Sequence, residues 1–397
     1  MRSSSPTGPL RTPSRAGSSC STRKKAVRGR RRTRWDRPRT ALSSPGRPTP
    51  GCPFSASRRS EPTTSGRDNR PSARAEPLTK VDVYHDQGDP RSSTVKYETD
   101  LVPYKSAADV VLIGRAHAPD GKAVRQMDVA IKVADRQKTM RIIGHRKCLY
   151  RAHRPPAFTE PAPFTEMEPR YERAYGGKDL RSEPALPFYY PRNHLGTGLA
   201  VKNLPEVIDG LALPNQEDPG DLLAPERVVL GEPERWNRQP LPRGFGWFQR
   251  TWYPRCSFTG AVPGFVDPAE VMREEELGLV PRGQIALARR FRLPSLDARF
   301  HDGASLGLVL PYLAGGERID LIHLTPEGRL EFFLPRDPPR LLLDIGLGEN
   351  ELTAVPHTVC IRPEDRQVDL VWRGAHEYPG VDWLPEMKRM VPKVSWP

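Results

Sequence analysis

Residues 126–143 read QMDVAIKVADRQKTMRII. Met127, Val129, Ile131 and Val133 alternate with other residues, ADRQ follows, and a second alternating run passes through Met140 and Ile142. Successive side chains in a strand point to opposite faces, so alternation of period two gives one face to the core and one to water. Two such runs around a polar turn make a β-hairpin. Residues 317–335 repeat the pattern: ERIDLIHL alternates, TPEG turns and RLEFFLP answers. Residues 110–113 form an apolar run suited to a buried strand, and PDGK (119–122) marks a turn. RLLLDIGL, TVCIRP, the turn EDRQ and QVDLVWRG continue the series. Short strands at this spacing predict a mainly β fold of antiparallel, sandwich-like sheets. No βαβ alternation points to a doubly wound sheet, and no fixed-period repeat occurs.

Residues 151–260 are dense in Pro, Gly and aromatic residues. Pro155, Pro156, Pro161 and Pro163 exclude a helix there, because each removes a donor and clashes with the preceding turn. Long Pro/Gly-rich loops are expected, with few short helices. The best helix is DPAEVMREEELG (267–278), with Pro268 in its first turn and Gly278 at its end.

The net charge of +14 over 397 residues is unevenly placed. Residues 1–75 hold 17 Arg and 2 Lys against Asp36, Glu61 and Asp68, which leaves residues 76–397 slightly acidic. The body therefore gives no reason to expect contact with nucleic acid. The tail, rich in Arg, Ser and Pro, buries too little apolar surface to offset chain entropy and reads as disordered. Its run RGRRRTRWDRPR suits an acidic surface such as nucleic acid or membrane; a transit peptide and a start-site or frame artefact are the other readings. No apolar run is long enough to span a membrane. Five cysteines, two in the tail and three far apart, are no disulfide framework, and a reducing cytoplasm is the expected location.

We expect no serine-nucleophile or kinase chemistry, and no Walker A sequence occurs. LGTGLA (195–200) lacks a third glycine and reads as a turn. His145, Cys148 and His153 lie within nine residues, but they straddle a strand end and are read as a chance cluster, so no metal and no cofactor is expected.

Two stretches stand out. RYERAYGG (170–177) places Glu172 between Arg170 and Arg173, with Tyr171 and Tyr175 beside Gly176 and Gly177. Flanking arginines hold a carboxylate ionised, which suits a charge-assisted hydrogen bond better than general acid–base work. The stretch is read as a pinned turn or a partner-recognition element rather than a catalytic one. GFGWFQRTWYPR (244–255) concentrates Phe245, Trp247, Phe248, Trp252 and Tyr253 with Arg250 and Arg255. Aromatic and Arg enrichment suits an interface anchor, and core packing is the other reading.

DLVPYKSAADVVLIGRAHAP, RYERAYGG, NHLGTGLAVKNLPEVI, GFGWFQRTWYPR, LIHLTPEGRLEFFLP and VDLVWRG occur in that order. The series resembles a bacterial family labelled as a domain of unknown function, whose members are often encoded beside type VI secretion components. The resemblance covers about 76–397. It implies a non-enzymatic adaptor or chaperone that loads a type VI effector or spike-tip protein, and it carries no catalytic residues. Family members open with a β-rich segment where this chain has its basic tail, so either the first strands are lost or the start is misassigned. The rival expectation is a hydrolase with its site in residues 150–260.

Overall fold

The alternating pattern of residues 126–143 folds as expected. In the computed structural model, residues 24–34, 73–76, 79, 81–86, 92–100, 102, 105–259, 297–344, 349–377 and 391–395 are described. Gln126–Val133 and Arg136–Ile143 pair antiparallel from Gln126↔Ile143 to Val133↔Arg136. Arg318–Ile322 joins Gln126–Val133, and Arg329–Phe333 closes the second hairpin. With Gln216–Glu217 on the far edge, these strands form a five-stranded sheet. Met127, Val129, Ile131, Met140, Ile142, Ile319 and Leu321 are buried on it.

A second sheet of six strands faces this core. Its central pair is Val355–Arg362 and Gln367–Glu377, and Ala108–Leu112, buried at every position, lies beside Val355–Arg362. Residues with no wet face read as a continuous apolar run, which is why this strand lacks alternation. Val110, Val111, Val359, Ile361, Leu370 and Trp372 from this sheet share one core with the five-stranded sheet. The fold is therefore mainly β, in packed antiparallel sheets, as the turn spacing predicted. In the six-stranded sheet the pairing Thr358↔Asp109 to Ile361↔Leu112 is parallel, which chain proximity does not require and local pattern does not reveal.

The tail contributes one long described segment. Lys24–Arg34 runs antiparallel along Gln367–Glu377, with Ala73–Glu76 beyond it. A bare strand edge presents unpaired amides and carbonyls, and a passing segment of the same chain satisfies them. The rest of the tail, read from the sequence as disordered, lies outside the described residues, as does the helix expected at 267–278.

Residues 151–259 run irregularly, as their prolines require. They hold two-residue strands, short 3-10 turns and the single-turn helix Pro205–Ile208. They are not loosely packed: Tyr175, Tyr190, Ile208, Leu213, Val228 and Trp236 form a second core together with Cys148. No helix among the described residues is long and apolar enough to cross a membrane.

Ile131 lies at the middle of the hairpin and is wholly buried, whereas Phe333 on the edge strand is exposed. Ile131→Ala should therefore cost about 2–5 kcal/mol in chemical denaturation. Phe333→Ala should stay within about 0.5 kcal/mol of the parent.

Candidate functional site

The turn RYERAYGG begins with Arg170 extended, closes a short 3-10 turn over Tyr171–Arg173, and ends in the two-residue strand Tyr175–Gly176. That strand pairs in parallel with Thr197–Gly198 of the NHLGTG stretch. Gly176 has φ 147°, and a Cβ there would stand 2.1 Å from the Asn193 carbonyl oxygen. Only glycine lets the two backbones meet so closely. Asn193 then donates its side-chain amide to the Tyr171 and Tyr175 carbonyls at 2.7 and 3.2 Å, and its own carbonyl accepts from Gly177 N at 2.8 Å. Ala174 bridges to Gln216, so the turn is fixed to the edge of the five-stranded sheet.

Glu172 is held by its neighbours. Its carboxylate accepts from Thr94 N at 2.7 Å and from the Thr94 hydroxyl at 2.8 Å, and Arg170 approaches at 3.3 Å. Arg170 also reaches Asp86 at 2.8 Å. The ion pair therefore sits on a clamp that fastens the hairpin Val83–Tyr84 and Val95–Tyr97 to the turn. The Arg173 guanidinium takes no part, and among the described residues it has no carboxylate partner.

Tyr171 points inward. Its ring packs edge-on against Phe248 and Trp252, with centroids 5.6 and 5.3 Å away, and against Gly244, where a Cβ would stand 2.9 Å from the ring. Trp252 donates its indole N–H to His194 Nδ1 at 3.1 Å. Phe245, Trp247, Phe248, Trp252 and Tyr253 are all buried. Rings without an exposed face cannot anchor a partner unless the fold opens. The motifs that the sequence set apart thus meet in space, and they meet as packing.

The charges of the aromatic stretch are equally occupied. Arg255 and Glu98 form a buried bidentate pair at 2.7 and 2.9 Å, and Arg255 also donates to the Phe248 and Phe300 carbonyls. Burial alone would push the Glu98 carboxyl up, but Arg255 and then Arg250 hold it below its ordinary value. Arg250 lies 3.3 Å from Glu98 and 3.1 Å from Asp82. Lys105 pairs with the fully buried Asp109, which also accepts from Gly303 N and Ala304 N at 2.9 and 3.0 Å. Burial, followed by Arg250 and Arg255, lowers the His301 imidazole to about 4.

The expectation of no serine-nucleophile signature passes over two spacings. Gly303-Ala304-Ser305-Leu306-Gly307 reads G-x-S-x-G. A nucleophile elbow needs a strained strand-to-helix turn that exposes the serine oxygen. Ser305 instead follows the Ala304–Trp247 bridge and is 0% exposed. Its hydroxyl donates to the Gly244 carbonyl at 2.6 Å, and accepts from the Tyr171 hydroxyl at 2.7 Å and from Lys138 Nζ. One donor and two acceptor sites are the full capacity of a hydroxyl, so none remains for a substrate. Ser93-Thr94-Val95-Lys96 reads S-x-x-K but runs into a strand, where i and i+3 face opposite ways.

Lys138 is the residue that pattern-reading most directly missed. It continues the buried alternation of Ile142 and Met140 by one more step, opposite Ile131. A lysine at a core-facing position of an alternating strand is the signal. Burial, followed by Arg243, lowers its amine well below the usual range. Its partner is the Ser305 hydroxyl rather than a carboxylate.

Beside the turn lies an open cleft of about 530 Å³, lined by His145, Arg146, Lys147, Thr159, Glu172 and Arg173, among others. Arg146 is committed to Glu217, and Lys147, like Arg173, has no carboxylate partner among the described residues. No group of three or more His, Cys, Asp or Glu side chains converges there or elsewhere among the described residues.

The geometry gives two expected outcomes. Glu172→Ala should destabilise the chain by about 1–3 kcal/mol, because it strands the Thr94 amide, and Glu172→Gln should recover part of the loss in urea melts. For Lys138 the sign follows from its lowered folded-state pKa. The unfolded chain binds the proton up to about pH 10.4, so wild-type stability climbs with pH through that window and falls as pH drops. Lys138→Met should stay folded and lose that climb in denaturation curves taken between about pH 7 and 10.

No curated protein and no solved structure matches the sequence. A family model does match, over residues 58–373, and the chain belongs to that bacterial family, described as "Uncharacterized protein conserved in bacteria (DUF2169)".

Proposed function

We propose that the protein is a non-enzymatic binding protein, an adaptor or chaperone that holds a type VI secretion effector or spike-tip protein for loading. The observation that carries this reading is the division of labour among its charged and aromatic residues. Glu172, Tyr171, Arg255, Lys138 and Ser305 are spent on holding loops against the sheets, while several large apolar side chains are left on the surface. The hairpin Lys178–Asp179 and Phe188–Tyr189 carries Leu180, Leu186 and Tyr189, with Leu186 70% exposed. Large apolar side chains gathered on one hairpin are a docking feature. The type VI assignment rests on the motif series quoted above; the rival hydrolase would need an accessible nucleophile or carboxylate pair.

Deleting the gene should leave the secretion machine firing while one effector encoded nearby stays undelivered. Normal delivery of every effector would sink the proposal, and a hydrolytic activity of the purified chain that Glu172→Gln abolishes would replace it. Leu186→Asp combined with Tyr189→Ser should weaken capture of the effector in a pull-down and leave the melting temperature unchanged.

A further inference from the structure

The cleft beside RYERAYGG has a chemistry that narrows the partner. It opens where the strand Arg136–Ile143 ends and the short hairpin of Cys148–Leu149 and Ala157–Phe158 begins. On its walls Arg146 stacks over Phe158 and is paired with Glu217, and the Glu172 carboxylate faces Thr94. Lys147 and Arg173 remain, both lining the cleft and both without a carboxylate partner among the described residues. The backbone around them is fixed: Lys147 N donates to the Thr159 hydroxyl, and the Arg173 carbonyl accepts from Asn215 N. Two cations on hydrogen-bonded backbone, with no counter-ion among the described residues, are a preorganised seat for carboxylates.

We propose that this cleft takes an acidic peptide segment of the partner, with Lys147 and Arg173 binding its carboxylates. The inference rests on the adaptor reading and deepens it. A peptide fits better than a free small anion because the seat continues beyond the cavity. Cys148 is buried, so strand alternation turns Leu149, which is exposed, to the same side as Lys147. Exposed Arg151 and Arg154 follow, again without carboxylate partners among the described residues. A strip of cations with a leucine among them matches an acidic chain that carries an apolar residue, whereas a phosphate ion would use only the cavity.

The test uses the full chain and a hexaglutamate peptide, coupled to lysines by a water-soluble carbodiimide and mapped by mass spectrometry. Position-resolved labelling separates the cleft from the basic tail. Lys147 should be labelled above Lys122, which is exposed on a turn remote in sequence from the cleft. Arg173→Gln should cut the Lys147 yield about tenfold, the size expected for losing one charge-assisted bond. Lys147→Gln, which leaves the turn untouched, should weaken binding of fluorescent hexaglutamate by a similar factor with an unchanged melting temperature. Equal labelling at Lys147 and Lys122, or a yield that persists in Arg173→Gln, overturns the proposal. Displacement of the peptide by phosphate but not by chloride at equal ionic strength overturns its peptide part. Failures of the two readings separate in cells. If deletion blocks an effector but the Lys147→Gln, Arg173→Gln double variant delivers it, the adaptor stands and the cleft is not its seat. If deletion blocks nothing, the adaptor reading falls.

Discussion

The hydroxyl of Ser305 is the point on which the rest of the structure is assembled. It joins Lys138 from the central hairpin, Tyr171 from the YERAYGG turn and the Gly244 carbonyl from the aromatic stretch. Four segments far apart in sequence thus meet at one oxygen that is fully buried and fully bonded. In a low-dielectric interior such a node is stabilising only when complete, since every lost bond leaves a buried polar group without water. That constraint fixes where the irregular region 151–259 lies. The Tyr171 phenol has to reach Ser305, so the turn has to lie flat on the sheet edge, and Gly244 has to lack a side chain to admit the ring.

Around this node the structure buries charge rather than avoiding it. Glu98 with Arg255, and Lys105 with Asp109, are removed from water and repaid by several further hydrogen bonds each. Such pairs add little net stability, but they are costly to break, so they select one arrangement of the loops over its neighbours. The effect is a loop-rich half as determinate as the sheets. A binding protein gains from that rigidity, because loops already ordered lose less entropy on docking.

The same accounting isolates what is left for function. Among the residues of RYERAYGG, Tyr171, Glu172, Gly176 and Gly177 are consumed by packing and hydrogen bonds, and Arg173, which lines the open cleft with Glu172, has no carboxylate partner among the described residues. Lys147 joins it from the end of the central hairpin. Membership of an uncharacterized bacterial family supplies no activity for the chain. Among the described residues, these cations and the exposed apolar hairpin are features without partners of their own.

The sequence by itself determined the two long hairpins, the apolar run at 110–113 that overlaps the buried strand Ala108–Leu112, and the β class, because period-two alternation and turn residues act between neighbours in the chain. It also marked RYERAYGG and GFGWFQRTWYPR as unusual without revealing that one packs on the other. Lys138 was legible in principle, one step further along an alternation already noticed, and so was the G-x-S-x-G spacing around Ser305. What only the tertiary structure decided is that residues 138, 171, 244 and 305 share one hydrogen-bonded site, that the aromatic rings face inward, and that Arg173 is left over. Those outcomes depend on contacts between residues 61 to 167 apart in the chain, and local pattern carries no record of which distant group will satisfy a buried donor.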